Sequence, residues 1–190
     1  MTAQDTTRSL WRDFDGAWYR YAYPIVDDLI AEGQCKTPID VYSSLVKPLE
    51  HSPNPFLSET WYLARYEGVK DAVTNGTFLS GFDHFCRHGY TDLRPHWLFD
   101  PVYYRRCFQL ANGRDLDDAL DGDPYDHFLR TGQYQGLTGH WLFDPAVYTA
   151  MAAFDIASRI ARYGPFTTYL RISTPTRRNR LSPTFWFNLR

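Results

Sequence analysis

The hexapeptide His96-Trp97-Leu98-Phe99-Asp100-Pro101 recurs letter for letter as His140-Trp141-Leu142-Phe143-Asp144-Pro145, 44 residues later. An identical hexapeptide containing tryptophan marks internal repetition, which must be read before any element is assigned. From that anchor a unit start recurs as Phe14-Asp15 with Trp18-Tyr19, Leu57-Ser58 with Trp61-Tyr62, Phe99-Asp100 with Tyr103-Tyr104, and Phe143-Asp144 with Val147-Tyr148. Its final tyrosines lie 43, 42 and 44 residues apart. A second anchor closes on Tyr42, Phe85, Phe128 and Tyr169, at spacings of 43, 43 and 41. Two landmarks thus agree on a period near 43. They divide the chain into a lead-in (1–13), four units (14–56, 57–98, 99–142 and a divergent 143–184), and residues 185–190. Phe185 there reads as the opening of a fifth unit, so the sequence is expected to belong to something longer.

Each unit reads as short helices. Asp100-Pro101 and Asp144-Pro145 place a side-chain acceptor at the N-cap and a proline at the first helical position. Asp15 and Ser58 are expected to cap in the same way. Val26-Asp27-Asp28-Leu29-Ile30, Val69 to Val73, Leu116 to Leu120 and Ile156 to Ile160 carry apolar residues at i, i+3 and i+4, the mark of an amphipathic helix. Gly33, Gly76, Gly122 and Gly164 end them at equivalent places. Helices this short are marginal alone, whereas stacked copies bury one another. Only 13 residues are Val or Ile, which speaks against a sheet. The predicted fold is all-α, a compact array of about four short-helix repeat units.

Composition fits such an array. Phe, Tyr and Trp make 17% of the 190 residues while mean hydropathy is only −0.46, so the apolar mass is largely aromatic and is read as core. A net charge of −2 gives no chain-wide nucleic-acid footprint. No apolar run approaches the ~20 residues of a membrane span, and no signal-peptide core precedes Asp13. Cys35, Cys86 and Cys107 are odd in number and form no CxxC pair. A soluble, cytoplasmic protein without a disulfide framework is expected.

Candidate chemistry is sparse. His84 and His88, beside Asp83, have zinc-like spacing, but His84 recurs as His127, and a position that repeats with the architecture reads as structural. The stretch Arg114 to Asp123 contains DxD at Asp115/Asp117 and at Asp121/Asp123. Ala119 falls where an EF-hand needs its third ligand, and the aspartates lie on a predicted helix and its cap, which suits a solvated face. Cys86 near His84 lacks an orienting third group. GxGxxG, P-loop, GxSxG and HExxH motifs are absent from the sequence. No catalytic residue, metal site or cofactor is assigned. Charge is uneven: residues 1–155 carry 13 basic and 22 acidic side chains, whereas seven arginines and no acid follow Ile156. Arg177, Arg178 and Arg180 are the candidates for contact with an anion, a partner or an anionic membrane surface, with a connection to the next unit as the plain alternative.

Residues Tyr62 to Tyr66, Val69 to Phe78 and Gly81-Phe82-Asp83-His84-Phe85-Cys86-Arg87-His88-Gly89 resemble a bacterial tandem repeat of pattern FDxxxYLxxNPDVxxAVxxGxFxSGxxHFxxxGxxEGR. Unit three, from Phe99 to Gly136, is similar to it as well. Glu67-Gly68 stand where the pattern has Asn-Pro, and unit four has Arg171-Ile172 in place of the closing glycine. Such repeats occur beside glycosyltransferase domains and in secreted repeat-rich surface proteins. The resemblance implies a non-catalytic spacer or docking domain of a larger bacterial glycosyltransferase-type protein in surface polysaccharide or glycoprotein synthesis, with a downstream catalytic domain or another protein as partner. One alternative is a carbohydrate-binding module stacking sugars on the linker tryptophans Trp97 and Trp141, flanked by His96 and His140. Another is a small metal-dependent sugar-nucleotide enzyme using the Asp115 to Asp123 cluster. Nucleic acid is not among the expected partners.

Overall fold

The computed structural model describes residues 9–116 and 122–173, apart from the side chains of 45–49. It is helical, with no strand among these residues beyond two isolated bridges. Unit one holds α1 (Gly16–Ala22), α2 (Ile25–Ala31) and α3 (Pro38–Leu49). Unit two holds α4 (Glu59–Arg65), α5 (Glu67–Thr74) and α6 (Gly81–His84), the last running into a π-helical turn at Phe85–Gly89. Unit three has α7 (Pro101–Asn112) and α8 (Pro124–His127), with a second π-helical turn at Phe128–Gly132. Unit four has α9 (Pro145–Ala150), α10 (Phe154–Tyr163) and α11 (Pro165–Ile172). The middle helix expected between Leu116 and Leu120 falls largely outside the described residues.

The sequence signals act locally as expected, with one correction. The Asp100 and Asp144 carboxylates each accept two backbone N–H groups ahead of their prolines, and Asp15 accepts from Trp18. Ser58, expected to cap α4, makes no such bond. The Glu59 N–H instead donates to the hydroxyl of Ser52 at 3.0 Å, so the cap is supplied from the preceding linker. Gly33, Gly76, Gly122 and Gly164 all have positive φ, the left-handed stop that the sequence places after each middle segment.

Each linker folds back on its own unit. The N–H groups of Asp15, Ser58 and Asp100 donate to the carbonyls of Pro53, Pro95 and Gly139 at 2.9–3.1 Å. Within units two and three one device repeats at the core. The first-helix tyrosine, Tyr62 or Tyr104, is wholly buried, and its hydroxyl meets His84 Nδ1 at 2.9 Å or His127 Nδ1 at 2.6 Å. Gly89 and Gly132 lie over those hydroxyls, where any Cβ would collide. Burial lowers the pKa of both histidines, which keeps them neutral for this bond. The aromatic residues thus form a core of edge-on pairs such as Phe128–Phe166 at 4.9 Å.

An open solenoid joins only neighbouring units. Here the lead-in crosses to unit three, where Trp11 Nε1 donates to Asp123 Oδ2 at 3.0 Å, and the Arg171 guanidinium of α11 returns to Asp15 Oδ2 at 2.6 Å. The array is therefore tied across both ends.

Candidate functional site

The repeated hexapeptides form two tight turns. Phe99 N–H donates to the His96 carbonyl at 3.1 Å, and Phe143 N–H to that of His140 at 3.0 Å. Inside each loop the histidine Nδ1 accepts from the second residue on, Leu98 at 3.0 Å or Leu142 at 3.2 Å. Such local side-chain bonds replace a backbone turn. The linker of unit one does the same with asparagine, whose Oδ1 accepts from Phe56 N–H at 2.9 Å while its Nδ2 donates to the carbonyls of Trp11 and Asp13. Asn54 is the register equivalent of His96 and His140, a correspondence visible from the 42- and 44-residue spacings. Tryptophan occupies the apex of both later turns.

Arg94, which no sequence signal singled out, joins the two turns. Its guanidinium donates to the Trp97 carbonyl at 3.2 Å and the Phe99 carbonyl at 3.4 Å, lies 3.6 Å from Asp100 Oδ2, and meets His140 Nε2 at 2.8 Å. A neutral imidazole has one ring lone pair for its two donor neighbours, so the tautomer decides whether Arg94 or Leu142 N–H is the one it accepts from. Burial, then the Arg94 charge, pulls the His140 pKa down to about 4, against a smaller opposing effect of Asp100. His140 is thus a neutral strut rather than an acid or base near pH 7.

The two tryptophans differ. Trp97 stacks on His96 with ring centroids 4.0 Å apart and packs against the main core. Trp141 tilts away from His140 at 5.6 Å and is 66% exposed, with Leu142, Val147, Met151 and Phe154 exposed in the following segment. Of the expected sugar-stacking pair, Trp141 is exposed and Trp97 is half-buried.

The other sequence candidates resolve as follows. His84 is held by Tyr62, and its ring lies 5.8 Å from that of His88. No cluster of three or more potential metal ligands occurs among the described residues. Asp123 caps α8 and accepts from Ser9 and Trp11, which commits its carboxylate to packing. Asp117, Asp118 and Asp121 lie outside the described residues, as do Arg177, Arg178 and Arg180. His51 receives the Tyr19 hydroxyl at 2.8 Å and stacks on Tyr23 at 3.7 Å, with its pKa lowered to about 4 by burial. It serves unit one as His84 and His127 serve the next two, from a different place in the sequence.

Glu59 also went unrecognised. In units one, three and four the third piece begins with proline (Pro38, Pro124, Pro165), which has no N–H to satisfy. Unit two has Gly81 there, and the buried Glu59 carboxylate accepts the N–H groups of Gly81 and of Phe82, the latter at 2.9 Å. Burial nonetheless raises its pKa to about 7.

No described helix is long and apolar enough to cross a membrane. Comparison with known protein families, with curated proteins and with solved structures finds no match.

Proposed function

We propose that the chain is a non-catalytic helical repeat domain, a spacer and docking module of a larger bacterial glycosyltransferase-type protein acting in surface polysaccharide or glycoprotein synthesis. The observation that carries this reading is the use made of the recurrent polar residues. His84, His127, His140, Asn54 and Asp123 are each spent on a turn, a cap or a buried tyrosine, which is what a scaffold requires of them. The resemblance of units two and three to repeats found beside sugar-transferring domains supplies the context. The chain should leave sugar nucleotides intact in the presence of Mg²⁺ or Mn²⁺. Reproducible metal-dependent hydrolysis or transfer that copurifies with the folded chain overturns the reading.

The exposure of Trp141 favours a second reading, a glycan contact made by this one ring. Saturable binding to an immobilised glycan panel that Trp141→Ala abolishes and Trp97→Ala leaves intact supports it. Binding that survives Trp141→Ala refutes it.

A further inference from the structure

Asn75-Gly76-Thr77 is the one place in the chain where an asparagine is followed, after a residue other than proline, by a hydroxyl residue. Asn54, Asn112, Asn179 and Asn188 are not so followed. The triplet is the acceptor pattern for N-linked sugars. It lies at the end of α5, where all three residues are exposed and Gly76 turns the chain with a φ of +87°. Around the turn there is room, since nothing stands within 4 Å of where a Cβ on Gly76 would be.

The fold does not require these side chains, because unit one makes the same turn with Glu32-Gly33-Gln34, 43 residues earlier. There the N–H groups of Glu32, Gly33, Gln34 and Cys35 donate to the carbonyls of Asp28, Ile30, Leu29 and again Leu29 at 2.9–3.3 Å. In unit two those of Asn75, Gly76, Thr77 and Phe78 donate to Asp71, Val73, Ala72 and again Ala72 at 2.9–3.2 Å. The backbone closes bond for bond in both units, with a glycine of positive φ at the centre of each. Asparagine and threonine are therefore additions to a turn that forms without them.

What the two side chains do is hold each other. Asn75 Oδ1 accepts the Thr77 hydroxyl at 2.6 Å and the Thr77 N–H at 3.0 Å. A backbone N–H can only donate, so the carboxamide turns its oxygen to Thr77 and its nitrogen away from it. Asn75 Nδ2 has no hydrogen-bond partner among the described residues. An exposed amide nitrogen is thus held in one orientation beside the hydroxyl that a transferase reads with it.

We propose that Asn75 is the acceptor of an N-linked sugar, transferred by a separate transferase from a glycosyl donor activated as a diphosphate ester. Nδ2 forms a bond to the anomeric carbon while the bond from that carbon to the diphosphate oxygen breaks. The diphosphate leaves with the electron pair, and one Nδ2 proton passes to a base of the transferase. Oδ1 keeps both bonds to Thr77, so the turn survives and the sugar projects from the end of α5 into solvent. The site is separate from the spacer and docking reading above, and neither depends on the other.

The test is intact-mass measurement and peptide mapping of the full chain expressed in the organism that encodes it. The expected mass exceeds that of the sequence by one sugar, as a nucleotide-activated donor would leave, or by one preassembled oligosaccharide, as a lipid-linked donor would leave, and maps to Asn75. Asn75→Gln and Thr77→Ala should each abolish the addition, whereas Thr77→Ser should keep it. All three should yield as much folded protein as the parent, because the turn closes without either side chain. A chain of unmodified mass, a sugar mapped to another residue, or an addition that survives Thr77→Ala overturns the proposal. Asn75 recovered as aspartate with no sugar overturns it too. Turnover of sugar nucleotides by the chain itself tests the scaffold reading separately.

Discussion

Gly132→Ala tests the device on which units two and three are built. A Cβ at position 132 would fall on the Tyr104 hydroxyl and come within 2.9 Å of its Cζ. Tyr104 is wholly buried, so the ring must shift and its 2.6 Å bond to His127 Nδ1 must break. Overpacking of this kind costs ~1–3 kcal/mol. Stranding a buried hydroxyl and imidazole costs a further ~1–2 kcal/mol. The higher helix propensity of alanine offsets at most ~1 kcal/mol of this, since φ at Gly132 is not in the left-handed region. The net loss should be about 3 kcal/mol, a large share of the ~5–15 kcal/mol that holds a domain. For a chain of this size that lowers the melting temperature by roughly 6–12 °C. Denaturant unfolding followed by circular dichroism measures it. Tyr104→Phe removes the struck oxygen, so Gly132→Ala should cost about 1–2 kcal/mol less in that background. Relief is partial, because Cε2 at 3.0 Å stays close. Gly68→Ala, a site in α5 with open space at Cβ, is the control and should be neutral or stabilising. A Gly132→Ala variant within ~0.5 kcal/mol of the parent, or one equally costly in both backgrounds, would refute the proposed collision.

Other outcomes follow from the buried titratable groups. Glu59 binds its proton more tightly folded (pKa about 7) than its ordinary value of 4.5, so its contribution to stability is complete below pH 4.5 and is lost as pH rises through 7. Glu59→Gln should therefore flatten stability against pH by roughly 1 kcal/mol per unit between pH 5 and 7, read as the difference between variant and parent at each pH. An unchanged difference across that window is the contrary result. His140 has the opposite sign, its stabilisation being present above pH 6.5 and lost as pH falls through about 4. Its imidazole resonances should show a neutral ring at pH 5.5, and Arg94→Ala should raise its pKa while leaving it below the ordinary value, because burial is the larger cause. Arg94→Lys keeps the charge but loses the fork that reaches two carbonyls and an imidazole, and should cost about 1–2 kcal/mol.

Much of the helical architecture was legible because its signals are local. Aspartate before proline, an i, i+3, i+4 apolar stripe and a terminal glycine each act within one turn of chain, and Asp100, Val69–Val73 and Gly76 behave accordingly. Ser58 was misread because a serine cap depends on which hydroxyl lies nearest, and Ser52 reaches the Glu59 N–H from another segment. Glu59 was visible only in comparison across units: where units one, three and four have proline at the start of the third piece, unit two has Gly81, whose N–H must find an acceptor. Arg94 could not be read at all, since its partners lie on two turns whose approach is a property of the folded array. The same limit applies to Trp97 and Trp141, identical in local sequence and different in burial.

The closure of the array can be traced to one exchanged residue. In the π-helical turns after α6 and α8 the arginine four positions after an aspartate is held within its own unit, as Arg87 by Asp83 and Arg130 by Asp126. Unit four has Thr167 at the aspartate position, and Thr167 is engaged by Gln133. Arg171 is thereby released from a local ion pair and reaches Asp15, the N-cap of α1, 156 positions away. The pair is partly exposed, with side chains 34% and 21% accessible, so screening limits it and Arg171→Gln should cost no more than about 1 kcal/mol. Its distinguishing effect is on where the molecule opens. Native-state hydrogen exchange should speed up together at the Tyr19 amide in α1 and in α11, with α5 unaffected. A uniform loss of protection would mean that Arg171 contributes only to global stability. Faster exchange confined to α11 would mean that α1 holds its place without it, the array being tied across by the bonds of Ser9, Leu10 and Trp11 to α8 and of the Tyr125 hydroxyl to the Phe56 carbonyl.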